Sequence, residues 1–297
     1  MVELKHLSLD DKELFDRALR TREHELSVYA FANIYIWQAL FEIRWAMIDD
    51  ALCLYFQDAF GMFLYLPPLV ERLTPEMIAA AYAVMDAANT NAAVSRIDNI
   101  EELAADVFRQ AGYACTVKGH EYICLQKDLA ELKGNKYKSK RACCNYAATH
   151  YGCSYRPYVK SDAAACMLLY EAWMQGRMRR SKDHVYRGML TDSQQCLRVV
   201  LELFSELGCA GRVVEIDGNV RGFTFGYAVS PSVWCVLYEV TDLAVKGLAQ
   251  YIFREFCREM PGYRFINVMD DSGLENLRGV KMSYHPARLA PMYTAKR

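Results

Sequence analysis

The chain has 297 residues, 53% of them hydrophobic, and a formal net charge of -1. That is enough apolar sequence for one large or two ordinary domains, and the charge balance excludes a protein that coats nucleic acid through a general basic surface. No run approaches the roughly 18 apolar residues of a membrane-spanning helix, and residues 1–6 lack the charged-then-apolar form of a signal peptide, so no integral membrane segment and a cytoplasmic location are expected.

In the first half, residues 42–48 and 51–57 are strand-like and meet at Asp49-Asp50. A third apolar run covers 62–66. Thr74-Pro75-Glu76 reads as a helix start, with Thr74 as cap and Pro75 in the first helical position, and the pattern runs to about residue 88. A short strand is expected over 93–97, a helix over 99–110 stopped by Gly112, and a last strand over 122–125.

The middle of the chain, 128–151 and 163–207, reads as helical, with breaks around Gly176 and Gly188. In its first part Tyr137, Cys144, Ala148 and Tyr151 share a face. Arg141 lies on that face and Lys140 at its edge, with Lys133, Lys136 and Lys138 around it. Basic residues among tyrosines suit phosphates of a nucleic acid, lipid or nucleotide; a solvated helix face with one inward arginine is the plainer alternative.

The second half repeats the first pattern. Residues 211–216 and 220–228 form a hairpin around Asp217-Gly218, and 233–240 a third strand. Residues 247–260 form an amphipathic helix with Leu248, Ile252, Phe256 and Met260 on one side. A short strand over 265–268, a helix over 272–282 and a final strand over 287–294 complete it. Hairpin, strand, helix, strand, helix, strand is written twice, which implies two domains, 1–126 and 127–297.

The last stretch has a conspicuous composition. Asn267, Asp270 and Asp271 precede Ser272, which forms a capping-box pattern with Glu275. Leu274, Leu277 and Val280 give the helix an apolar stripe, with Lys281 between the two leucines on the wheel and Arg278 beside Leu274. Cations on a buried face are costly unless Asp270, Asp271 or an anionic ligand meets them.

The eleven cysteines include no Cys-x-x-Cys pair and read as small core residues in a reducing compartment. Cys143-Cys144 is read the same way. The six histidines show no ligand spacing, so no metal is expected.

The order of elements resembles that of the GNAT acetyltransferase superfamily. It implies an α/β (α+β) fold of two tandem GNAT-like acyltransferase domains, with mixed central sheets flanked by helices. The run Leu132-Lys133-Gly134-Asn135-Lys136-Tyr137-Lys138-Ser139-Lys140-Arg141, then Tyr238-Glu239 ahead of Lys246-Gly247, then the C-terminal stretch, carry a closer likeness. They are similar to the marks of a bacterial family that resembles the C-terminal domain of phosphatidylglycerol lysyltransferases, and more distantly the Fem-type peptidoglycan aminoacyltransferases.

This resemblance implies transfer of an acyl or aminoacyl group to an amine or hydroxyl acceptor on a small molecule or peptide. The donor would be an acyl-coenzyme A or an aminoacyl-tRNA, with tRNA as a partner. Donor binding falls on Lys246, Gly247, Leu248 and Ala249, although Ala244 stands where the GNAT pattern has glutamine or arginine. The first half offers only Pro67-Pro68 there, and proline has no N–H to donate. Glu239 is placed as general base and Tyr284 as the acid for the leaving group, against the plainer readings of an ion-paired glutamate and a structural tyrosine. Lys140, Arg141, Arg278 and Lys281 are expected to bind anionic parts, with Arg141 and Lys281 at a shared site. The alternative is a non-catalytic module that retains an anionic small molecule, peptide or nucleic acid in a cleft between the domains.

Overall fold

A computed structural model describes residues 2–297. In chain order it contains β1 (Lys5–His6), α1 (Lys12–Leu19), α2 (Phe31–Ile36), β2 (Glu42–Ile48), β3 (Ala51–Asp58), β4 (Gly61–Leu64), α3 (Pro75–Ala88), β5 (Ile97–Glu101), α4 (Glu102–Gln110) and β6 (Ala114–Leu125). Then follow α5 (Gln126–Glu131), α6 (Lys138–His150), β7 (Ser154–Pro157), α7 (Ala163–Arg180), α8 (His184–Leu203), β8 (Ala210–Ile216), β9 (Asn219–Ser230), β10 (Val233–Thr241), α9 (Leu248–Arg258), β11 (Phe265–Asn267), α10 (Glu275–Met282) and β12 (Arg288–Lys296).

Contacts divide the chain into two compact units. Unit one holds residues 1–122, 269–279 and 288–297; unit two holds 123–268 and 280–287. In unit one β1, β2, β3 and β4 pair antiparallel in sequence, β4 and β5 run parallel, and β5 pairs antiparallel with β12. In unit two β7, β8, β9 and β10 pair antiparallel, β10 and β11 run parallel, and β11 pairs antiparallel with residues 123–125 of β6. Each unit thus has the same order: a hairpin, a third antiparallel strand, a parallel neighbour and a closing antiparallel strand.

The closing strands depart from the expected division at residue 126. The end of β6, from the first half of the sequence, closes the sheet of unit two, and β12, at the end of the sequence, closes that of unit one. Local pattern predicts that a strand exists but not which distant edge it joins. Tyr82 donates its hydroxyl to the Ala295 carbonyl at 2.7 Å, a bond that fixes β12 against α3 within unit one.

Several predicted ends agree with the structure for the reasons given. Asp49 and Asp50 both take positive φ, 48° and 64°, and Asp217-Gly218 does the same at 51° and 72°, the conformation a two-residue hairpin turn requires. Thr74 accepts from the Met77 amide, with Pro75 first in α3.

Others do not agree. The strand expected at 93–97 is a 3-10 turn at Ala92–Val94 followed by β5, because Asn91 captures the Ala93 amide. The break in the long helical stretch falls at residues 181–183, where the Asp183 carboxylate caps α8, while Gly176 and Gly188 lie inside helices. Ser272 does not cap α10; it takes φ 50°, and the helix begins at Glu275.

Candidate active site

The site is built in unit two around the end of β10. Its pairing with β9 shifts register twice, between Val233 and Trp234 and again between Val236 and Tyr238, where Leu237 is left as an extra residue. A bulge of this kind re-aims the side chains that follow it. The next residues are Tyr238, whose hydroxyl donates to the Ser193 carbonyl at 2.9 Å, and Glu239.

Glu239 keeps a fraction of its surface open, yet protein atoms surround its carboxyl densely. The density around the carboxyl is what sets its charge. Burial pushes the Glu239 carboxyl up to about 8, and the positive charge of Lys140 opposes the shift. A carboxylic acid that ionises near neutral pH is suited to proton transfer.

Lys140 comes from α6 and connects the other groups. Its ammonium lies 4.2 Å from the centre of the Tyr284 ring. Burial lowers its pKa, while Cys143, Glu239 and Cys144 act in the other direction. Burial also raises the Tyr284 hydroxyl well above the ordinary phenol, and the charge of Glu239 adds to it. The Tyr284 ring packs edge-on against Phe253 of α9 at 4.8 Å, and its carbonyl accepts from the Tyr137 hydroxyl at 2.9 Å. Glu239, Lys140 and Tyr284 therefore influence one another's charge, and Tyr284 packs on a hydrophobic cluster that includes Trp234, Phe253, Phe256 and Ile266. Lys140 was expected as an anion ligand, and its coupling to Glu239 was not foreseen. The sequence signal for it was faint: a lysine at the edge of the α6 apolar face.

The expected donor loop is more closed than the sequence suggested. Asp242 takes the Ala244 amide on its carboxylate at 2.9 Å and the Val245 amide on its carbonyl at 3.1 Å. The Leu248 amide goes to the Val245 carbonyl at 3.3 Å. A carboxylate in this turn repels the pyrophosphate that a GNAT loop of amides attracts. Arg221 pairs with Asp242 at 2.9 Å and holds it in place. Gly247 has φ 83°, and a Cβ there would sit 2.2 Å from the Cys143 carbonyl oxygen. The glycine is required for α6 to pack on the start of α9. Lys246 lies 4.7 Å from the Tyr146 ring centre, and Leu248 is buried in the core with Ile252, Val214 and Ile216.

The cations expected to bind anionic parts have protein partners of their own. Arg141 donates to the Leu132 carbonyl and, at 3.1 Å, to that of Gly134, closing the left-handed end of α5. Lys281 donates to the Val268 carbonyl. In unit one Arg278 pairs with Asp271 at 3.0 Å, and its side chain is 61% exposed. The α10 helix has no buried residue, so the expected expense of cations on a buried face does not arise.

Asp271 also accepts from the Tyr122 hydroxyl and the Gly273 amide. Burial raises its carboxyl, but these bonds and Arg278 outweigh it and hold the group below the usual carboxylate range. Asn267 is fully buried in β11. Asp270 lines a cavity in unit one.

Cys144 is a core thiol that donates to the Gln250 carbonyl at 3.0 Å, with its pKa pushed up to about 11 by burial. Among the described residues no group of three or more His, Cys, Asp or Glu is placed to hold a metal ion. No described helix is long and apolar enough to cross a membrane.

The family described as phosphatidylglycerol lysyltransferase, C-terminal, matches residues 19–296. The chain belongs to that family. Among solved structures, a conserved protein of unknown function from Bacteroides thetaiotaomicron is 23% identical, with 99% of each chain covered and a TM-score of 0.88. The L-PGS structure from Bacillus licheniformis is 14% identical, covering 99% of this chain and 93% of that one at a TM-score of 0.67. A tandem GNAT protein from the clavulanic acid biosynthesis pathway is 11% identical, with 99% and 98% covered at 0.52. No curated protein matches by sequence. The fold is that of tandem GNAT-like proteins, and membership of a lysyltransferase family supports aminoacyl transfer as the chemistry.

Proposed function

We propose that the chain moves an aminoacyl group from an aminoacyl ester, the 3′ end of a charged tRNA, to an amine or hydroxyl acceptor. The observation that carries this reading is the Glu239 carboxyl, raised to about 8 at the bulged end of β10. In the reaction the acceptor nitrogen or oxygen attacks the ester carbonyl, and its proton passes to the Glu239 carboxylate. The ester C–O bond breaks as the tetrahedral intermediate collapses, and the departing hydroxyl takes a proton from Tyr284. Lys140 over the Tyr284 ring supplies positive charge as the phenol gives up its proton.

The Asp242 carboxylate takes the Ala244 amide and its carbonyl takes the Val245 amide, and a carboxylate at this turn favours an ester donor over the pyrophosphate of coenzyme A. The acceptor is a small molecule or peptide that presents an amine or hydroxyl.

The test is a transfer assay with a panel of charged tRNAs and acyl-coenzyme A esters, run on the wild type and Glu239→Gln. We expect turnover with a charged tRNA and a rate reduced about 10²- to 10⁴-fold in the variant. Equal or faster turnover with a coenzyme A ester, or an unchanged rate in the variant, would overturn the assignment.

A further inference from the structure

Helix α6 runs on past Lys140, and its next turns carry groups that the chemistry proposed for Glu239 does not use. Cys143, Tyr146 and His150 lie within about 60° of one another around the helix. The Cys143 backbone meets Gly247 and the Tyr146 ring meets Lys246, so this face looks onto the loop between β10 and α9.

Two of these residues form a ring stack. The Tyr146 and His150 ring centres are 3.8 Å apart, with 16° between the planes. Tyr151 packs edge-on against Tyr146 at 6.0 Å. His150 is exposed, and Tyr146 is its one ring contact among the described residues, so the other face of the imidazole is open. Hydrogen bonds hold the imidazole in place. The Tyr146 carbonyl can only accept, so the His150 Nδ1–H donates to it at 3.0 Å. Thr149 Oγ1 lies 2.9 Å from the same nitrogen.

A cation from the loop completes the arrangement. The Lys246 ammonium lies 4.7 Å from the Tyr146 ring centre, and among the described residues no carboxylate pairs with it. Asp242 in the same loop is taken by Arg221. A ring pair four residues apart would by itself only support its helix. With one face open and an unpaired ammonium beside it, the stack suits a nucleobase and the phosphate attached to its sugar. The position suits the chemistry as well. At about 1.5 Å per residue, Tyr146 and His150 lie about 9 and 15 Å along α6 from Lys140, a span that one nucleoside and the side chains at its ends can bridge.

We propose that Tyr146, His150 and Lys246 form a stacking site for the terminal nucleoside of the donor. The base lies on the open face of His150, the adjoining phosphate meets Lys246, and the ribose points toward Glu239. This rests on the reading of a charged tRNA as donor, whose 3′ adenosine carries the aminoacyl ester. Coenzyme A also presents an adenosine with phosphate, so that shared chemistry defines the site. The tRNA end brings Lys246 a singly charged phosphodiester, whereas coenzyme A brings a pyrophosphate that the Asp242 carboxylate opposes.

The experiment is a fluorescence titration of the full chain with unfractionated, uncharged tRNA, either intact or with its terminal adenosine removed, beside a titration with coenzyme A. Intact tRNA is expected to bind at least about fivefold tighter than trimmed tRNA at the same salt concentration, the contribution of one stacked base. His150→Ala, checked for folding by circular dichroism, is expected to close that gap by weakening intact tRNA alone, and His150→Phe, which keeps a ring, to restore it. Lys246→Ala is expected to reduce the salt slope of tRNA binding by about one. The site is overturned if intact and trimmed tRNA bind alike and coenzyme A does not bind, or if whichever binds is indifferent to His150→Ala. Binding of coenzyme A that depends on His150, with no preference for intact tRNA, would keep the site and overturn the charged tRNA as donor. An unchanged transfer rate in Glu239→Gln with the tRNA gap intact would overturn the acid and leave the site standing.

Discussion

The two units share a strand order and differ in what stands at the end of the central strand. In unit two that position is a bulge followed by Glu239, then a turn with Gly247 at φ 83°. In unit one the strand β4 ends near Tyr65, a buried tyrosine whose hydroxyl donates to Asn33 at 2.8 Å, and the chain continues through Pro67-Pro68. One unit carries a titratable acid and a conformationally special turn; the other carries a buried tyrosine and a rigid one. One backbone plan therefore carries two different strand ends, and the residues there decide what each can hold.

The contrast is broken most strongly by removing the acid. Glu239→Gln is expected to lower the transfer rate by the factor given above. It also changes stability in a direction that can be worked out. The carboxyl titrates from the ordinary 4.5 in the unfolded chain and at about 8 in the fold, so the unfolded chain loses its proton first. The stability associated with this group is full below the unfolded value and is lost as pH rises through about 8. Glutamine cannot ionise. Urea unfolding should therefore find the variant equal to the wild type at low pH and more stable above pH 8.

The next largest effect is expected at the turn. Gly247→Ala places a Cβ against the Cys143 carbonyl at a positive φ, and should cost about 2 kcal/mol or more in urea unfolding. A smaller loss would mean that α6 yields easily and that the glycine serves something other than packing.

Lys140→Ala sharpens the account of how the acid is tuned. Lys140 lowers the Glu239 pKa, so its removal should move the rising limb of the pH–rate profile to higher pH. A limb that stayed in place would separate Lys140 from the acid. Arg278→Ala, at an exposed ion pair with Asp271 in unit one, should change stability by less than about 1 kcal/mol.

Much of the fold was legible because its signals are local. Alternating apolar residues, Thr74-Pro75 and Asp217-Gly218 each act within a few residues of themselves. The exchange of closing strands was not legible, since β12 and the end of β6 find partners far away in sequence. The site was legible in part. Glu239 and Tyr284 were named from resemblance, and the structure couples them through Lys140. The bulge at Leu237 leaves no mark in an apolar strand. That Arg141 and Lys281 each donate to a backbone carbonyl was not legible, because sequence shows charge but not the carbonyls that receive it.

The most direct measurement of the central claim is the ionisation of Glu239 itself. A carbon-13 titration of side-chain carboxyls, assigned by loss of one signal in Glu239→Gln, would follow it. We expect that signal to titrate near pH 8 and to move higher in Lys140→Ala. A signal that titrated in the ordinary glutamate range, near 4.5, would contradict the account.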